Sequence, residues 1–198
     1  MKESYKISLM IAALTALLGP LPGFQGQPAG EPVCVLQTSL GTMVFRFFEA
    51  EAPQTAKQFQ RLVHDGFYNG KDFYRVVKGH VIQAGGGGAQ KLPPEFNNRP
   101  HLVGTVGLGR DDDINSGDSE FYICVAPRPH LDGRYTVFGQ LIAGYDVLEK
   151  ISNVEVDEKW ESADKKLAMH KPKKPVLIEK AWIEERDLSP KIPGEALR

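Results

Sequence analysis

The sequence predicts a mainly β fold of about eight short strands and two helices. Twenty glycines and fourteen prolines in 198 residues punctuate the chain at close intervals, as a turn-rich β protein requires. Between these breaks lie short runs rich in β-branched and aromatic side chains. Only two stretches carry the 3.6-residue apolar period of a helix.

The elements follow in order. Val33 to Gln37 is an apolar strand, and a turn at Ser39 to Gly41 leads into a second strand, Thr42 to Phe48, making a hairpin. Glu51 to Asp65 reads as a helix: Pro53 suits its first turn, Ala56, Phe59, Leu62 and Val63 form the apolar stripe, and Gly66 stops it. Strands Phe73 to Val77 and His80 to Gln83 are split by Lys78 and Gly79. The four-glycine run Gly85 to Gly88 opens a long loop; no Gly-Lys-Ser/Thr follows, so it does not read as a phosphate cradle. Strand Thr105 to Leu108 precedes a polar loop, Arg110 to Ser119. Strands Phe121 to Val125 and Tyr135 to Leu141 lead to a short second helix, Ala143 to Ile151. A charged loop, Glu155 to Lys174, separates these from a last strand, Val176 to Glu184, and a loose tail, 187–198. A closed barrel would leave no exposed strand edge, with the helices over its ends. A sandwich fits the period equally well.

Hydrophobic content of 41% and charged content of 25% are ordinary for a globular chain. The net charge of −1 provides no long-range attraction for nucleic acid or an anionic membrane, so no nucleic-acid partner is expected. The N-terminus reads as an export signal. Lys2 and Lys6 flank its start, and Ile7 to Leu18 is apolar except for Ser8 and Thr15. That run is shorter than the ~20 residues a membrane span needs. Residues 1–26 are read as a signal peptide cut near residues 26–30, 27–32 as a linker, 33–186 as the folded domain and 187–198 as the tail. A periplasmic or secreted location, and no stable membrane insertion after cleavage, follow from that reading. Cys34 and Cys124 lie in apolar strands and read as buried free thiols, although export would allow a disulfide. The five histidines show no metal-binding spacing, and neither metal nor cofactor is expected. Asp111 to Asn115 resembles the start of a calcium loop, but Ser116 stands where glycine is needed and Tyr122 where the closing glutamate belongs.

Four segments together resemble the cyclophilin family: FYRVVKGHVIQAGG (Phe73 to Gly86), GTVGLGR (Gly104 to Arg110), SGDSEFYIC (Ser116 to Cys124) and HLDGRYTVFGQL (His130 to Leu141). Ala52 to Phe59 and Pro175 to Ile183 agree with its flanking helix and final strand. The resemblance covers roughly residues 33 to 185, and its force lies in the joint order and spacing of the segments. It implies a closed eight-stranded antiparallel β-barrel capped by two α-helices. It also implies peptidyl-prolyl cis-trans isomerase activity on proline-containing unfolded or extended polypeptides, carried by a chain that is expected to be monomeric.

That reaction needs no nucleophile. Partial double-bond character gives the peptide C–N bond a rotational barrier of about 18–20 kcal/mol. Before proline the two isomers are close in energy. A site that holds the ring and places a fixed cation at the prolyl nitrogen favours the twisted amide, whose nitrogen has regained its lone pair. On spacing alone Arg75 reads as a surface ion-pair partner; the resemblance makes it the catalytic arginine. It likewise makes Gln83 the residue that hydrogen-bonds the substrate backbone, and Tyr122 and Leu131 two walls of the proline pocket. It puts Gly109 where a peptide backbone passes closely, although a plain strand-end turn explains that glycine equally well. Five further groove positions depart from the family pattern. His80 replaces a usual phenylalanine, Val81 a frequent methionine, Glu120 a common glutamine, and His130 a tryptophan or phenylalanine. Tyr135 stands where many members have histidine and bacterial ones tyrosine. His80 makes the pocket more polar and predicts pH dependence near an unperturbed pKa of about 6.5. Glu120 adds a negative charge near Arg75. A low-turnover proline-peptide-binding module on the same barrel is the competing reading, and a calcium-stabilised interaction domain a third.

Overall fold

The computed structural model describes residues 30–159 and 168–189. The proposed signal peptide, linker residues 27–29 and the tail beyond Ser189 lie outside the described residues. Ten strands and two α-helices are formed: β1 (Glu31–Thr38), β2 (Gly41–Phe47), α1 (Pro53–His64), β3 (Arg75–Val77), β4 (Val81–Ala84), β5 (Thr105–Leu108), β6 (Phe121–Cys124), β7 (Val137–Ala143), α2 (Tyr145–Ser152), β8 (Val156–Asp157), β9 (Lys171–Pro172) and β10 (Ile178–Arg186). A 3₁₀ turn, Pro129–Leu131, precedes β7. β1 starts ahead of the expected Val33, since Pro32 pairs with Glu185 and Glu31 with Arg186.

Eight strands form one antiparallel sheet in the order β10-β1-β2-β7-β5-β6-β4-β3. The sheet curls into a half-barrel, and the expected closed barrel is not formed. The segments leading into its two end strands meet at the isolated bridge Asp72–Leu177, with hydrogen bonds from Phe73 N to Val176 O, Ile178 N to Lys71 O and Gly70 N to Ile178 O. The reason lies at β3, which is three residues long and has its outer edge already occupied. The Val76 amide donates to the His170 carbonyl at 2.8 Å, so the segment 168–172 covers that edge instead of β10. The expected charged loop thus contains structure, a two-stranded β8–β9 ladder.

Helix α1 buries Ala56, Phe59, Leu62 and Val63, the stripe read from the sequence. It has no side-chain cap of its own. The Glu95 carboxylate, from the long loop, accepts the amides of Gln54 (2.9 Å) and Thr55 (2.8 Å) and the Thr55 hydroxyl (2.7 Å). A carboxylate suits this position because the first-turn amides have no intrahelical partner and form the positive end of the helix. Phe59 sits among Phe45, Phe121, Phe138 and Tyr68, which fixes α1 over the main core.

Candidate active site

Strand register builds the site. Arg75 pairs with Gln83, Gln83 with Tyr122 and Tyr122 with Gly107, so one row crosses β3, β4, β6 and β5. The adjacent row, Val76–Ile82–Ile123–Val106, lies entirely within the main core. Strand side chains alternate between faces, so Arg75, Gln83 and Tyr122 project from the opposite face. There Val81, Tyr122 and Cys124 form a separate apolar cluster with Leu131 and Tyr135. Tyr122 and Leu131 are therefore not part of the main core.

On this face lies a cleft of about 630 Å³, and it is lined by all ten residues singled out from the sequence. Arg75 is 8% exposed. Its Nε donates to the Ala168 carbonyl (2.6 Å) and its Nη1 to Gln83 Oε1 (2.6 Å). Gln83 Nε2 in turn donates to Glu120 Oε1. Since a carboxylate only accepts, the chain Arg75 to Gln83 to Glu120 has one possible direction. Glu120 thus orients the Gln83 amide, which presents its oxygen to Arg75. Burial, with Glu120 nearby, pushes the Tyr74 phenol well above its ordinary range, so it remains protonated. Gly109 serves Glu120 as well: a Cβ there would lie 2.5 Å from Glu120 Oε1 and 2.8 Å from its Cγ. A larger residue at this position would force the Glu120 side chain to shift.

The opposite wall comes from the 3₁₀ turn and its surroundings. Tyr122 and Tyr135 meet edge to face at 6.0 Å, and the Arg110 guanidinium lies 4.4 Å from the Tyr135 ring centre. His80 and His130 stack with centroids 6.0 Å apart. Burial, then the charges of Arg75, Arg128 and His130, lower the His80 pKa to about 4. His80 is thus a neutral ring in the range where a free histidine titrates, and its own contribution to pH dependence moves from the expected 6.5 to about 4. In a His130→Phe background, peptide KM is therefore expected to rise on approach to pH 4 and not near pH 6.5, as NMR exchange measurements across a pH series would read.

Chemically, the cleft offers a clamped cation, an oriented amide and an aromatic-aliphatic pocket. Nucleophilic thiols are not among its tools: Cys34 and Cys124 are both free and buried. Burial raises the first well above its ordinary value and the second to about 12. Among the described residues no three His, Cys, Asp or Glu side chains are grouped to hold a metal ion.

The family model described as cyclophilin type peptidyl-prolyl cis-trans isomerase/CLD matches residues 33–182. The chain belongs to the cyclophilin family. It is an enzyme that isomerises Xaa-Pro peptide bonds. A peptidyl-prolyl cis-trans isomerase of Synechococcus elongatus is 43% identical over 113 residues, 54% of this chain and 77% of that protein. One from Helicobacter pylori is 35% identical over 137 residues, 62% of this chain and 82% of its own length. The cyclophilin type isomerase of Cryptosporidium parvum, solved in the presence of the dipeptide Ala-Pro, superposes with a TM-score of 0.69 at 25% identity, covering 78% of this chain and 99% of that one.

Several residues that shape this cyclophilin cleft were not singled out from the sequence. Met169 lines it and Ala168 supplies the acceptor for Arg75, both from the segment read as a solvated loop. Gly107 lies beneath the Tyr122 ring, and a Cβ there would overlap Cζ and Oη. A glycine inside a strand is itself a signal of close approach, so this residue was open to detection. Gly107→Ala is expected to displace the ring, raise peptide KM about tenfold or more and cost about 1–3 kcal/mol of stability, as exchange kinetics and thermal melting would register.

Proposed function

We propose that this cyclophilin acts on extended proline-containing polypeptides exported from the cytoplasm and assists their folding, as a monomer in the periplasm or outside the cell. Arg75 is the catalytic residue. The observation that carries this assignment is the guanidinium itself, buried in the cleft and held on two sides, in register with Gln83 and Tyr122. A planar cation fixed at Nε and Nη1 pays little reorganisation to meet a pyramidalising nitrogen. The proline ring seats against Tyr122 and Leu131, with Val81, His80, His130 and Tyr135 around it. Gln83, whose carbonyl is engaged by Arg75, offers its remaining N–H to a backbone carbonyl of the substrate. Glu120 sets that orientation, and Gly109 leaves room for Glu120 at the groove.

Binding with little turnover is a second reading on the same cleft. It is favoured by the occupation of Gln83 from both sides, which leaves fewer groups for the substrate. Exchange spectroscopy on an Xaa-Pro peptide separates the two. Accelerated interconversion supports the enzyme on polypeptide, and shifted peptide resonances without acceleration support the binding module. For export, the N-terminal sequence of the mature protein recovered from a bacterial periplasm is expected to begin near residues 26–30. An intact Met1 in the recovered protein would overturn that part.

A further inference from the structure

His101 is 1% exposed, lies outside the cleft lining and has no part in the chemistry described above. It is committed to two separate elements, the 3₁₀ turn and β6. Its backbone amide and its Nδ1 both contact Asp132 Oδ1 at 2.8 Å. Its Nε2 lies 2.9 Å from the Tyr122 hydroxyl, and the two rings are nearly parallel, 16° apart. Its carbonyl accepts the Arg128 amide at 2.7 Å. Asp132 caps the 3₁₀ turn that carries His130 and Leu131, while Tyr122 is the facing wall on β6. One buried side chain therefore joins both sides of the pocket.

The partners on either side of the ring give this chain a consistent proton order. Hydrogen bonds from His101 hold the Asp132 carboxyl below its usual range, so it is an ionised acceptor. Nδ1 must carry the hydrogen that meets it, and in that Nδ1–H tautomer Nε2 is left to accept. Burial keeps the Tyr122 phenol far above its ordinary pKa, so its hydroxyl donates to Nε2. Two polar atoms that would otherwise be buried without partners thus satisfy each other, and the tyrosine ring cannot swing without breaking that bond.

We infer that His101 is a positioning residue of the proline pocket, holding the Tyr122 ring through its hydroxyl and the Leu131 turn through Asp132. The inference rests on the reading of Tyr122 as a pocket wall. Because the wall contacts the ring in the planar and twisted states alike, loosening it weakens binding and leaves kcat nearly unchanged.

Two substitutions divide the histidine. Asn reaches only as far as Nδ1, so His101→Asn retains a donor for Asp132 and loses the acceptor for Tyr122. Gln reaches as far as Nε2, so His101→Gln retains that acceptor, and the backbone amide still holds Asp132. With a proline-containing tetrapeptide as probe, His101→Asn is expected to raise KM, and the Kd from chemical-shift titration, about fivefold. His101→Gln should recover most of that loss. In the Tyr122→Phe background His101→Asn should add nothing further, since the bond it removes is already gone. Equal and multiplying losses in the two backgrounds would overturn the inference, as would a His101→Gln protein no better than His101→Asn. Should the variants not fold, the ¹⁵N spectrum of the unsubstituted protein decides: His101 is expected as the Nδ1–H tautomer, and a protonated Nε2 refutes the chain. That spectrum is read without substrate, so it stands apart from any failure of the isomerase reading.

Discussion

Arg75→Ala is expected to lower kcat/KM for Xaa-Pro exchange by about 10²–10³-fold, almost wholly in kcat. The guanidinium meets the prolyl nitrogen only once the amide twists and its lone pair returns, so its loss raises the barrier without unseating the ring. Some acceleration remains, because the pocket and Gln83 still act. Arg75→Lys should recover little of the loss. An ammonium cannot reproduce the fork that engages the Ala168 carbonyl and Gln83 Oε1 together. Both variants should remain folded, with a stability loss of about 1–3 kcal/mol for the stranded Ala168 acceptor. NMR exchange on one peptide, with thermal melting as the control for folding, reads both quantities. Turnover within about threefold of the unsubstituted protein would remove Arg75 from the mechanism.

Phe59→Ala is expected to have the largest effect on stability, about 3–5 kcal/mol. Phe59 is 3% exposed and stacks on Tyr68 with centroids 4.6 Å apart, while Phe138 lies at 5.1 Å, Phe121 at 5.3 Å and Phe45 at 5.5 Å. Truncation opens a cavity that these rings, each fixed by its own strand or turn, cannot fill. For a domain of this size the melting temperature should fall by about 6–20 °C. The protein still folded at 25 °C should bind peptide with nearly unchanged affinity. Phe59 packs on the core face of β6 and Tyr122 projects from the other, so the cavity does not reach the cleft. A melting point unmoved in differential scanning calorimetry would show that α1 is not anchored at this ring.

Local patterns carried most of the fold. The strand Thr105 to Leu108 formed with the expected ends. The α1 stripe is buried as its period required, because apolar side chains at helical spacing have only one face to hide. α2 began later than expected, as β7 runs on through Ala143 and Gly144 at φ 87 starts the helix. The strands β8 and β9 are two residues each, too short to show any period. Whether the sheet closes was also beyond local pattern, for it depended on which segment reached the free edge of β3.

The candidate site followed a similar division. Arg75, Gln83 and Tyr122 could be named because they are side chains in recognisable segments of strand. The Ala168 carbonyl could not, since every residue has one and only the path of the chain selects which meets a guanidinium. His101 reads as one polar residue in a loop, and its contacts come from two distant segments, the 3₁₀ turn and β6, that converge on it. His80 was identified as a pocket residue, but its protonation was not legible. Its neutrality is set by burial and by Arg75, Arg128 and His130, which are brought near it by folding.

The chain's own order of residues determined the strands and helices, the alternation that separates Arg75, Gln83 and Tyr122 from the core, and the family to which they belong. Tertiary structure alone decided the open sheet, the clamp on Arg75, the direction of the Gln83 amide and the bond between His101 and Tyr122. The first group depends on contacts within a few residues, where side-chain spacing suffices. The second depends on hydrogen bonds and fields between segments far apart in sequence, whose distances exist only once the backbone has closed around them.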